Sequence, residues 1–118
     1  MALELATNKG FPCYFVEEEA KYVNYADDQV REVCRLVGAP DPEVRDPDSS
    51  RTAEMLQLCV YLPKEDAGLY LDKTRNVDAT RWHPYFMDIT PKGGSKRLGI
   101  EAVMARYSLD PSRTIAFG

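Results

Sequence analysis

The chain predicts an α/β sandwich: a mixed, largely antiparallel sheet with helices on one face. Three observations carry that expectation. Short apolar or aromatic runs bounded by turn residues alternate with amphipathic stretches. Two pairs of those runs stand close enough to form hairpins. A composition of 44% hydrophobic and 29% charged residues over 118 positions suits one globular core, without low-complexity blocks or repeats.

Residues 1–9 carry Leu3 and Leu5 among helix formers, and Gly10 stops the pattern, which predicts the last turns of a helix. No start signal precedes it, so the chain reads as beginning mid-protein. Residues 11–16 (FPCYFV) are aromatic and β-branched enough for a strand, with Pro12 tolerable at its start. Residues 21–25 make a second, shorter strand and complete a hairpin. Asp27 and Asp28 then favour a helix N-terminus. Val30, Val33, Cys34 and Val37 follow at helical spacing, and Gly38 and Pro40 end the element.

Residues 39–53 hold Pro40, Pro42 and Pro47 among short polar residues and read as a solvated, mobile loop. The run MLQLCVYL at 55–62 is a strand with Leu56, Leu58, Val60 and Leu62 on one face and Gln57 on the other, and its apolarity makes it central. Pro63 suits a first helical turn, and KEDAGLYLDK follows as a short helix weakened by Gly68. Residues 77–82 and 85–90 are strands joined around His83 and Pro84. Pro91, Lys92, Gly93 and Gly94 form a turn, and Ser95 caps a helix striped by Ile100, Val103, Met104 and Tyr107. After Asp110 and Pro111, residues 114–117 read as a short buried strand.

Composition narrows the function classes. The net charge is −4 and the 15 Lys and Arg residues are scattered, which leaves no electrostatic footprint for nucleic acid. No apolar run approaches the roughly 20 residues of a membrane span, and no signal peptide is visible. Cys13, Cys34 and Cys59 sit inside apolar runs and read as small buried hydrophobes; with His83 the single histidine, no short-spaced zinc set exists. A reducing, cytoplasmic setting is the expectation.

The last third, ITPKGGSKRLGIEAVMARYSLDPSRTIAFG, carries a specific pattern. An aliphatic strand leads to Gly94-Ser95-Lys96, a helix follows, then Leu109-Asp110-Pro111, and a final run ends in Ala116-Phe117-Gly118. Order and spacing together resemble the Cof-type branch of the haloacid dehalogenase-like hydrolases. Residues 10–16 and the stretch from Arg81 to Asp88 resemble that branch's large α/β cap at lower specificity. The resemblance implies a cap (substrate-specificity) domain over 1–91, and over 92–118 a helix-strand piece of a Rossmann-like core.

It also implies a Mg²⁺-dependent phosphatase that hydrolyses small phosphate esters, sugar phosphates in particular, through an aspartyl-phosphate intermediate. The nucleophile motif Asp-x-Asp-Gly-Thr does not occur here, and the sequence stops before the metal-binding Gly-Asp-Gly-x-Asn-Asp. The chain is therefore read as a fragment, inactive alone and holding no metal, with Mg²⁺ and the small phosphorylated substrate belonging to its parent. Of the family's functional positions only Lys96 is present, as the phosphate-stabilising lysine.

Taken without the family, Lys96 is a solvated helix residue; beside Gly93 and Gly94 at a helix N-terminus it is also a point charge where an anion is favoured. Arg81 is a candidate for a substrate phosphate or hydroxyl, against a plain surface role. His83 is likewise a substrate-binding candidate, able to serve as acid or base, against a structural or rim place beside Trp82 and Pro84. Two other functional classes stay open: a stand-alone α/β module that binds a ligand or protein, and a subunit that completes a site in trans. The resemblance also implies that the segment 92–118 lacks its neighbours, which predicts that it is disordered, folds back on the cap, or is exchanged with another copy to give a homodimer.

Overall fold

The computed structural model describes residues 10–46, 48, 54–115 and 117. The expected N-terminal helix over 1–9 lies outside them, as do Pro47, residues 49–53, Ala116 and Gly118. Five strands form one antiparallel sheet: β1 Cys13–Glu17, β2 Lys21–Val23, β3 Met55–Tyr61, β4 Val77–His83 and β5 Phe86–Pro91, in the order β2-β1-β3-β5-β4. The most apolar run of the chain thus lies at the centre, paired with β1 through Phe15↔Leu58 and with β5 through Leu58↔Ile89. Both hairpins, β1 with β2 and β4 with β5, form as the turn signals require.

Successive residues of a strand point to opposite faces, so an apolar central strand must be covered on both. Leu58 and Val60 join Cys13, Phe15, Met87 and Ile89 in one buried cluster, with Tyr70 of helix α2 Ala67–Leu71. Tyr61 and Phe86 face the other way and pack with Val30, Val33 and Cys34 of helix α1 Asp28–Leu36. The sequence suggested helices on one face only; α1 and α2 instead cover opposite faces.

Helix α1 begins where expected: the Asp27 side chain accepts the Val30 N–H at 2.9 Å, and Gly38 exits with φ +69°. Helix α2 is shorter than its sequence suggested. A 3₁₀ turn, Lys64–Asp66, precedes it and Gly68 sits in its first turn, so only one well-formed helical turn remains. The described part of the 39–53 loop is pinned rather than loose. Val44 forms a parallel bridge with Val23, through Val23 N–H to Glu43 O and Arg45 N–H to Val23 O, each at 2.9 Å.

Helix α3, Lys96–Tyr107, follows β5 and is all but free of buried side chains. Leu98, Ile100, Val103 and Tyr107 are exposed, although the stripe had read as a packing face. The strand expected over 114–117 is not formed by its described residues: a 3₁₀ turn, Pro111–Arg113, leads into irregular chain, and Ile115 and Phe117 are 79% and 95% exposed. A strand is stabilised by the ladder of its neighbours, and no strand of the sheet runs beside this segment.

Candidate functional site

The turn from β5 into α3 is built by short-range chemistry. Gly94 N–H closes on Pro91 O at 3.0 Å, and Gly93 takes φ +79°, a conformation that side-chain-bearing residues avoid. A Cβ on Gly94 would sit 3.0 Å from the Pro91 carbonyl oxygen, a tight contact, so the path of the chain favours glycine at both positions. Ser95 is extended and caps α3, its Oγ accepting the Leu98 N–H at 3.2 Å. Lys96 is the first residue of that helix, exposed, and borders an apolar hollow of about 510 Å³ lined by Ile100, Val103, Met104 and Leu109.

Strand β4 holds the turn from the side. Lys92 N–H reaches the Asn76 carbonyl at 2.9 Å, one step beyond the Val77↔Pro91 pair. Asp78 Oδ2 accepts the Gly93 N–H at 2.6 Å.

Arg81 and His83 stand elsewhere. Strand β5 separates the β4–β5 connection from the turn before Lys96, and six extended residues span about 20 Å. Lys96 is therefore not brought together with either residue. Arg81 is engaged internally: its guanidinium donates to Pro84 O at 2.9 Å and to Leu62 O at 3.1 Å, clamping the connection to the end of β3. His83 Nδ1 accepts the Tyr85 N–H at 3.3 Å, which places the proton of the neutral ring on Nε2. Its ring stacks on Phe86 at 5.6 Å and meets Trp82 and Tyr85 edge-on.

Sequence reasoning passed over a second polar group, on the α1 face. A cavity of about 250 Å³ lies among Tyr14, Cys34, Tyr61 and Phe86, with Gln57, Cys59, Trp82 and Asp88 contributing its polar atoms. Trp82 Nε1 donates to Asp88 Oδ2 at 2.9 Å and Gln57 Nε2 to Cys59 Sγ at 3.3 Å. Asp88 Oδ1 is shut off from solvent and has no hydrogen-bond partner. Burial pushes the Cys59 thiol far above its ordinary range and the neighbouring Asp88 adds to the effect; burial, with Cys34 beside it, pushes Tyr14 up to about 12. The one available signal was Asp88 at a partly buried position between Met87 and Ile89 of β5.

Comparison with known proteins adds the family. The model of the haloacid dehalogenase-like hydrolases matches residues 2–118. The chain belongs to that family. Its fold matches other members: the subclass IIB sugar phosphatase BT4131 superposes with a TM-score of 0.81 at 23% identity, over 92% of this chain and 44% of that one. BT1666, a phosphatase of the same superfamily from Bacteroides thetaiotaomicron, gives 0.73 at 29% identity, over 94% of this chain and 42% of its own. In sequence, 65 residues are 37% identical to YkrA of Bacillus subtilis strain 168, which carries a provisional phosphatase assignment; they cover 55% of this chain and 25% of YkrA. The chain thus spans less than half the length of these relatives.

Among the described residues, no group of three or more His, Cys, Asp or Glu side chains is placed to hold a metal ion. No described helix is long and apolar enough to cross a membrane.

Proposed function

We propose that residues 1–91 form the substrate-covering cap, and 92–118 a returning piece of the catalytic core, of a cytoplasmic Mg²⁺-dependent phosphatase acting on small phosphate esters, sugar phosphates among them. One observation carries the reading: Lys96 opens α3 just after a Gly-Gly-Ser turn in which Ser95 caps the helix, so a cationic residue stands at a helix N-terminus, where a phosphoryl group is also favoured. Membership of the hydrolase family and the fold shared with a sugar phosphatase support it. In this reading the nucleophilic aspartate and the metal ligands are supplied outside this sequence, and this segment alone turns nothing over. Arg81 and His83 stand at the far end of β5 from Lys96 and are candidates for substrate contacts from the cap. The outward apolar side of α3 packs against the remainder of the complete protein; with this segment alone it brings two copies together, which light scattering over a concentration series checks.

The test uses the complete protein with p-nitrophenyl phosphate and Mg²⁺. Lys96→Ala is expected to lower kcat by on the order of 10²–10³ while leaving the thermal midpoint in place. A folded Lys96→Ala protein with nearly native kcat overturns the assignment. Metal-dependent turnover by the purified segment 1–118 overturns the division of labour.

A further inference from the structure

We propose that Asp78 is a positioning residue for Lys96: by accepting the Gly93 N–H it fixes the turn from which α3 starts, and so joins the sheet to the lysine. The inference rests on the reading of Lys96 as the phosphate-facing group and adds a residue that neither the motif nor the family match singles out.

The turn contains two consecutive glycines, the least restrained backbone a chain can have. Left to itself, such a turn would let α3 begin in many directions. Strand β4 and the residue before it remove that freedom at two successive amides. The Asn76 carbonyl takes the Lys92 N–H at 2.9 Å, continuing the ladder. The next amide, Gly93, faces no ladder partner, and Asp78 Oδ2 takes it at 2.6 Å, a short charge-assisted bond. Asp78 is itself anchored opposite Thr90 in the β4–β5 register. Beyond Gly93 little slack remains before the lysine. Gly94 lies against Pro91 O, Ser95 is extended, and its hydroxyl already holds the Leu98 amide. Where Gly93 sits therefore determines where Lys96 sits.

Asp78 is exposed and belongs to neither buried cluster, so removing its carboxylate leaves the core intact. That separates positioning from stability. An asparagine there still presents a carbonyl oxygen to the Gly93 amide, whereas an alanine presents nothing.

The experiment compares Asp78→Ala, Asp78→Asn, Lys96→Ala and the Asp78→Ala/Lys96→Ala pair in the complete protein, with p-nitrophenyl phosphate turnover, thermal midpoint and Gly93 amide exchange as readouts. Asp78→Ala is expected to accelerate Gly93 exchange and lower kcat roughly 10- to 100-fold with KM little changed, because a displaced charge is lost mainly in the transition state. Asp78→Asn restores most of the rate and the slow exchange. In the Lys96→Ala background, Asp78→Ala adds no further loss. Three results overturn the proposal: unchanged Gly93 exchange in Asp78→Ala, native kcat despite a released Gly93 amide, or an equal further loss in the Lys96→Ala background. Native kcat in Lys96→Ala alone marks the failure of the underlying reading, and the proposal falls with it. Where Lys96→Ala turns over too slowly to follow, the alanine and asparagine variants of Asp78 decide between them.

Discussion

The indole N–H of Trp82 donates to Oδ2 of Asp88 at 2.9 Å, tying an exposed ring at the edge of the sheet to a half-buried carboxylate on the neighbouring strand. The same indole meets Phe86 edge-on with 4.9 Å between ring centroids. A large apolar side chain is thereby tethered at two points with much of its surface in water.

Trp82 is the single tryptophan, so its emission reports this bond directly. Asp88→Ala is expected to shift the emission to longer wavelength and to lower stability by about 1 kcal/mol in urea titration. An unshifted spectrum would show that the ring is fixed by packing alone.

Phe15 is fully buried and stacks on Tyr22 with ring centroids 5.1 Å apart, beside the central strand. Phe15→Ala should cost about 3–5 kcal/mol, from lost transfer energy and the cavity left behind. That is much of the stability of a domain this size, so the variant should unfold at markedly lower urea.

Stability should hold to about pH 8 and then decline. Burial raises the thiols of Cys13 and Cys59 and the phenols of Tyr14, Tyr61 and Tyr70 in the folded state. Each stays neutral in the fold while its unfolded counterpart ionises, near pH 8.5 for a thiol and 10 for a phenol. The unfolded state then binds fewer protons than the folded one, so stability falls as pH rises, toward about 12 where Tyr14 itself titrates. Urea midpoints from pH 7 to 11 check the sign. Alkylation of Cys13 and Cys59 in the native protein should be slow throughout the lower part of that range.

Gly93→Ala places a side chain at φ +79° and should cost about 1–2 kcal/mol, most of it local to the turn. Amide exchange should rise at the turn and at the first residues of α3 while β3 stays protected.

Much of the fold was legible because its signals are local. Asp27, the spacing of Val30, Val33 and Cys34, and Gly38 bound α1 to within a residue. The run at 55–61 marked itself as the central strand by being apolar on both faces save for Gln57. The Gly-Gly-Ser turn and the cap of α3 were likewise written in neighbouring residues. What stayed hidden depends on partners distant in sequence. Period-two apolarity in β3 cannot say which helix covers which face, so α1 and α2 were placed together. The bond from Asp78 to Gly93 and the bond from Trp82 to Asp88 arise from strand register, which no single run encodes. The apolar residues of α3 and of the chain beyond it look like core by composition, yet the described residues offer them no surface to cover.

The parallel bridge between Val23 and Val44 returns the chain to the strand it has just left, before it travels on to β3. Helix α1 is thus carried on a loop closed at its own base, with only short sequence separations inside it. A loop of that kind can open and reseal without parting β3 from β1 or β5, whose pairings lie outside it. What holds α1 to the rest of the molecule is therefore side-chain packing: Val30, Val33 and Cys34 seat on Tyr61 and Phe86, and the cavity between Cys34 and Cys59 lies at that seam.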